Sequence, residues 1–96
     1  MLKHIVLFKF KDENKQENLL KAKELLEALV DSIPSLKSME VGLNFSKESR
    51  AMDLSIIAIF DTIEDLEIYS NHPKHLEVVK FIKSVVLESK VSDYIV

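Results

Sequence analysis

The first stretch of the chain alternates with a period of two, which is the pattern of a β-strand. One face of residues 2–11 carries Leu2, His4, Val6, Phe8 and Phe10. The opposite face also holds apolar side chains, Ile5 and Leu7, between its lysines. A strand with one face in water would carry polar residues at those two positions. We therefore predict a strand whose sheet is covered on both sides.

A long helix and two further strands follow. Apolar residues at helical spacing predict a helix over 15–32, which Pro34 ends because the residue before a proline disfavours the helical conformation. Two strands are predicted at 38–46 and 52–60, joined as an antiparallel hairpin by a polar loop of moderate length. Gly42 inside the first of them marks a bulge, a close backbone approach or a position where glycine is merely tolerated.

Two shorter helices and a last strand complete the chain. The pattern predicts helices over 62–70 and 73–87, with Pro73 at the first position of the second, where its missing N–H needs no partner. The predicted buried stripe of that helix consists of Leu76, Val79, Ile82 and Val86. Residues 89–95 return as a strand.

The order β-α-β-β-α(α)-β predicts a single α+β domain over residues 1–96. The natural architecture is a ferredoxin-like four-stranded antiparallel sheet with helices on one face. The other face would expose Ile5, Leu7, Ile57 and Ile59. Soluble monomers rarely expose an apolar patch of that size, so we predict a homodimer in which two sheets stack face to face.

Composition narrows the function classes. The 13 basic and 16 acidic residues are interspersed and give a net charge of -3, so there is no basic stripe for nucleic acid. The absence of cysteine excludes disulfides, thiolate catalysis and cysteine–zinc sites. No apolar run resembles a signal peptide or a membrane span. We expect a cytoplasmic protein with neither nucleic acid nor membrane as a partner.

The segment YSNHPKH at 69–75 concentrates the candidate chemistry, because it holds two of the three histidines and one of the two tyrosines. It is either a ligand or catalytic site or a helix–helix corner in which His72 caps the second helix. A metal site at His72 and His75 is disfavoured, because a proline separates them and no carboxylate has an evident place beside them, although Asp93 or Asp53 could come near. We expect no metal and no cofactor.

A catalytic site would combine Tyr69, His75 and His4. In the first turn of a helix, His75 would stay neutral and able to accept a proton, while the Tyr69 hydroxyl could bind a carbonyl oxygen. His4 lies on the helix-covered face of the first strand. A pocket for a small hydrophobic ligand would be lined in addition by Val6, Phe8, Leu54 and Ile56. The same residues could instead fill a solid core, and an open cleft at Tyr69 and His75 would discriminate between the two.

Four segments together resemble the stress-responsive A/B barrel (Dabb) domain family: KHIVLFKFK at 3–11, IPS at 33–35, VGLN at 41–44 and YSNHPKH at 69–75. The resemblance covers the whole chain. It implies a dimeric α+β barrel of ferredoxin-like subunits, and it implies no single activity, so whether this chain is an enzyme stays open.

One member type of that family, the plant olivetolic acid cyclase, performs an aldol condensation with the tyrosine and last histidine of this motif. The resemblance implies those roles for Tyr69 and His75. The cyclase has a histidine where this chain has Leu54, and its pocket aromatics match Ala22, Leu26 and Val86, so a different substrate is expected. The alternatives are a polyketide-cyclase-like enzyme, a small-molecule binder, a non-catalytic stress-response dimer and, by fold analogy alone, a heme-degrading or quinone-forming monooxygenase.

Overall fold

The computed structural model describes residues 1–96 and contains four strands and three helices. The elements are β1 (Leu2–Phe10), α1 (Lys15–Ser32), β2 (Ser38–Leu43), β3 (Leu54–Phe60), α2 (Ile63–Asn71), α3 (Pro73–Val85) and β4 (Val86–Ile95). The strands form one antiparallel sheet in the order β2-β3-β1-β4. This is the predicted ferredoxin-like α+β fold. None of the helices combines the length and hydropathy that a bilayer span requires.

The core fills the space between one face of the sheet and the helices. Alternate residues of the two central strands are buried there: Leu2, Val6 and Phe10 on β1, and Leu54, Ile56, Ala58 and Phe60 on β3. The helix α1 contributes Leu19, Ala22, Leu26 and Leu29, four apolar residues at helical spacing. The alternation therefore assigned the covered face of both strands correctly.

The other sheet face carries no helix. The side chains of Ile5, Leu7, Ile57 and Ile59 are only partly buried there, with Ile5 paired directly opposite Ile57. Gly42 lies on this face of the edge strand β2, in a regular register without a bulge. No atom lies within 4 Å of the place a Cβ would occupy, so glycine is merely tolerated at this position.

Four elements differ from the prediction by two or three residues at one end, among them the last strand, which begins at Val86 instead of residue 89. The strand predicted over 38–46 ends at Leu43, because the Asn44 side chain turns the backbone by accepting a hydrogen bond from the Ser46 N–H at 3.1 Å. The next strand begins at Leu54, since the Asp53 carboxylate accepts from the Phe10 N–H at 2.7 Å. The helix predicted over 73–87 ends at Val85, because Val86 already pairs with Phe10 as the first residue of β4.

The buried stripe of α3 is rotated from the predicted one. Leu76 is 51% exposed, and the buried residues are Val78, Ile82 and Val85. The helix packs against α1, where the Lys21 ammonium lies 4.5 Å above the Phe81 ring. This packing turns Leu76 outward and directs the neighbouring face of α3 over β1 and β4.

Candidate functional site

A cavity of about 310 Å³ lies between α3 and the β1–β4 side of the sheet. Its lining is mainly apolar and consists of His4, Val6, Phe8, Leu26, Ile56, Tyr69, His75, Val78, Val79, Ile82, Lys83, Val86, Ser89 and Val91. Lys83 and Val91 are exposed, so the cavity opens to solvent at that side. Its size and apolar character suit a small organic ligand.

The cavity brings together six of the seven predicted site residues. Tyr69, His75 and His4 line it, as do Val6, Phe8 and Ile56. Leu54 does not, because it is fully buried between Phe8 and Leu43 on the neighbouring strands and has no surface for a ligand. Leu26 and Val86, where the resemblance suggested pocket residues, do line the cavity, whereas Ala22 is buried in the core.

His72 lies outside the cavity at the corner between two helices. Its Nδ1 accepts a hydrogen bond from the Lys74 N–H at 3.1 Å, and it caps the start of α3 as predicted. No group of three or more histidine, cysteine, aspartate or glutamate side chains is arranged to hold a metal ion.

The His75 ring has a defined proton position. Its Nδ1 lies 3.1 Å from the Ser70 carbonyl oxygen, which can only accept, so Nδ1 donates and Nε2 keeps a lone pair. Burial lowers the pKa of His75, and the charges of His4 and His72 lower it further, against the opposing effect of the Ser70 hydrogen bond. His75 is therefore a neutral imidazole at neutral pH, able to accept a proton at Nε2.

Tyr69 presents a hydroxyl without a partner. The residue is 2% exposed, and its ring centroid lies 4.2 Å from that of His75. Its hydroxyl forms no hydrogen bond within the chain. It is nevertheless not a fully buried atom without a partner, because Ser35 Oγ is the one side-chain polar atom of that kind. The Tyr69 oxygen therefore reaches accessible space in the cavity. Burial raises the pKa of the phenol, so at neutral pH it is a hydrogen-bond donor.

His4 is held by a carboxylate that the sequence did not single out as its partner. Strands β1 and β4 pair with His4 opposite Asp93, and the Asp93 carboxylate accepts a hydrogen bond from His4 Nδ1. The His4 ring also contacts Tyr69 edge to face, with 6.4 Å between ring centroids. Topology could have predicted this contact. If the first and last strands pair antiparallel, residue 4 lies beside a residue near the end of the chain.

A family model and several solved structures match this chain over nearly its whole length. The family model described as the Stress Responsive A/B Barrel Domain matches residues 2–96. A solved Bacteroides fragilis protein of unknown function, described as dimeric and ferredoxin-like, is 32% identical with a TM-score of 0.89, over 97% of this chain and 93% of that one. The Arabidopsis thaliana protein At3g17210 is 25% identical with a TM-score of 0.87, over 98% and 93%.

A solved structure of an enzyme with a named activity shares the fold at lower sequence identity. Hydroxynitrile lyase from Passiflora edulis is 18% identical to this chain with a TM-score of 0.88, over 99% of this chain and 92% of that one. At that identity the likeness concerns the fold. A search of curated proteins found no match.

Proposed function

The chain belongs to the stress responsive A/B barrel domain (Dabb) family, and we propose that its cavity binds a small, mainly apolar carbonyl compound and abstracts a proton beside the carbonyl. The observation that carries the proposal is an apolar cavity that reaches both an unpartnered phenol and a neutral imidazole, Tyr69 and His75. A donor for the carbonyl oxygen and a base for the neighbouring C–H are the two groups that this reaction needs.

The step divides between the two side chains. The Tyr69 hydroxyl donates a hydrogen bond to the carbonyl oxygen, where negative charge develops as the C–H bond breaks. His75 Nε2 takes that proton, which is possible because its Nδ1 proton is engaged by the Ser70 carbonyl. The enolate then reacts with an electrophile or takes a proton back.

His4 supports the same site from the sheet. Asp93 fixes the orientation of the imidazole through Nδ1 and leaves its other nitrogen for a substrate or water in the cavity. We infer that His4 binds a second polar group of the substrate. The plant cyclase type of this family performs an aldol condensation, which favours the reaction class by analogy and leaves the substrate open.

The reaction can be tested with 2-octanone in deuterated buffer, following loss of the signal from the C–H groups beside the carbonyl by NMR. The wild-type protein should accelerate exchange, and His75→Gln should lower the acceleration about 100-fold, the usual contribution of a general base. Tyr69→Phe should lower it as well, because it removes only the hydroxyl.

The matched control is His72→Gln, which changes a histidine three positions away that does not line the cavity. It should exchange the ketone within a few-fold of the wild-type rate, because it removes the α3 cap and the small effect of the His72 charge on the pKa of His75 but no group that lines the cavity. Equal exchange by wild type and His75→Gln, with both proteins folded by circular dichroism, would contradict the proposed base.

We further propose that the domain is a homodimer through its helix-free sheet face. Ile5, Leu7, Ile57 and Ile59 form a continuous apolar surface there, and the Bacteroides fragilis relative is described as dimeric. Two such sheets stacked face to face would remove this surface from water. The relatives support the dimer, and the four isoleucine and leucine positions are our inference for the interface.

Sedimentation velocity at micromolar concentration should give twice the 11.0 kDa mass of one chain. Ile57→Lys should shift the protein toward monomer, because a buried interface cannot accommodate an unpaired ammonium. Leu20→Lys is the matched control, since Leu20 is 59% exposed on the outer side of α1. A single 11.0 kDa species of the wild type would refute the dimer.

A further inference from the structure

We propose that the cavity selects a monocarboxylate, with Lys83 binding the carboxylate while the rest of the ligand extends along α3 toward Tyr69 and His75. The substrate class of the proposed reaction is then a keto acid whose keto group lies at Tyr69. The carboxylate site stands on its own observations, whereas the position of the keto group rests on the proposed function.

One face of α3 lines the cavity on the side opposite the sheet. The helix positions that line it are His75, Val78, Val79, Ile82 and Lys83, followed by Val86 at the helix end. These positions follow the i, i+3, i+4, i+7, i+8 spacing of a single helical face. His75 therefore stands at one end of an otherwise apolar stripe and Lys83 at the other.

Lys83 is a cation without a partner in the chain. It is the one permanently charged side chain among the residues that line the cavity, and its ammonium forms no ion pair or hydrogen bond. The Lys11 ammonium donates to the Ser84 carbonyl at 3.2 Å and adds positive charge near the end of α3. No acidic side chain lines the cavity, and the Asp93 carboxylate is hydrogen-bonded to His4. Lys83 is exposed at the cavity mouth, so it needs no counterion in the free protein, and its ammonium is available to an anionic group of a ligand whose apolar part lies in the cavity.

The spacing sets the size of the ligand. Eight residues separate His75 from Lys83, and at the rise of an α-helix this is ~12 Å along the axis. A ligand must then have an apolar chain of intermediate length between its carboxylate and its reacting carbon. A single lysine provides one compact charge, which suits a carboxylate better than a phosphate dianion that needs several donors.

A structural role for Lys83 makes a different prediction. A lysine in the last turn of a helix can rest its methylene stem on apolar side chains and interact with the negative helix end, with no ligand. In that case removal of the charge would alter stability slightly and would leave ligand binding unchanged.

The test measures binding of octanoate and 1-octanol by isothermal titration calorimetry. These probes share a chain and differ in charge. Wild type should bind octanoate about tenfold more tightly than 1-octanol, as expected for one charge-assisted hydrogen bond. Lys83→Met, which keeps the apolar stem, should lower octanoate affinity about tenfold and leave 1-octanol affinity unchanged. Butanoate should bind more weakly than octanoate, because it cannot fill the stripe.

The matched control is Lys80→Met, a lysine on the same helix that does not line the cavity and should have no effect. Raising the salt concentration should weaken the binding of octanoate to wild type and leave the binding of 1-octanol unchanged. This comparison tests the role of the charge without a substitution. Equal affinity for both probes, unchanged by Lys83→Met, would overturn the carboxylate site and leave cavity binding intact. Failure of both probes to bind would overturn the site and the proposed ligand cavity together.

Discussion

Two halves of the same sheet face differ sharply in how they are filled. On the β3 half, the helix-facing residues Leu54, Ala58 and Phe60 are completely buried, and only Ile56 borders the cavity. On the β4 half, the corresponding residues Ser89, Val91 and Asp93 are exposed, although they pair with the same central strand β1. One half of the face is a solid core and the other half borders a cavity.

The difference follows from strand position and side-chain type. Strand β3 is central, and its helix-facing residues are all apolar, so helices pack directly onto it. Strand β4 lies at the sheet edge and alternates serine, valine and aspartate on that face, which offers little apolar surface to bury. In this fold the solid half determines stability, and the open half leaves space for a ligand beside a helix that carries His75 and Lys83.

Truncation of one aliphatic residue in each half should give the largest contrast. Leu54→Ala should lower the free energy of unfolding by about 2–5 kcal/mol, because it leaves a void in a close-packed region. Val91→Ala should cost less than about 1 kcal/mol, because Val91 is 62% exposed at the cavity. Urea denaturation of the two variants and wild type at one protein concentration measures both effects.

An equal loss for the two variants would contradict the division of the sheet face into a solid and an open half. Ile59→Val serves as a control on the helix-free face, where a loss of about 0.5–1.5 kcal/mol is expected even if the dimer buries this side chain, because a single methylene group is removed. A loss from Ile59→Val as large as that from Leu54→Ala would indicate that this face carries the main packing instead.

The solid half was the more predictable of the two. Period-two alternation assigned both central strands and their covered face, because burial of apolar side chains is what decides the register of such strands. The helix-free face was predicted from the apolar Ile5 and Leu7 in the same way. The roles of Tyr69 and His75 came from a motif and its place at a helix start, and both residues lie at the cavity.

The open half depends on arrangements that no local pattern encodes. Asp93 meets His4 only through pairing of strands from opposite ends of the chain. Lys83 reaches the cavity because packing of α3 against α1 sets the rotation of the helix, which also turned Leu76 outward. Leu54 was assigned to the pocket because alternation places it on the helix-covered face. Alternation does not give the position along the strand at which the helices leave a gap.

The smallest expected effect is an acid dependence of stability that originates in the open half. Burial lowers the pKa of His75 in the folded state, so between its ordinary value and the folded value the unfolded chain binds more protons. Stability from this residue is complete above the ordinary histidine pKa and is lost as the pH falls through the folded value. His75→Gln lacks this loss, so the wild-type advantage should shrink between about pH 7 and pH 5 in urea titrations. Tyr69→Phe retains His75 and should follow wild type. Parallel curves for wild type and His75→Gln would mean that the ring is solvated in both states, which would contradict the burial of His75 at the cavity.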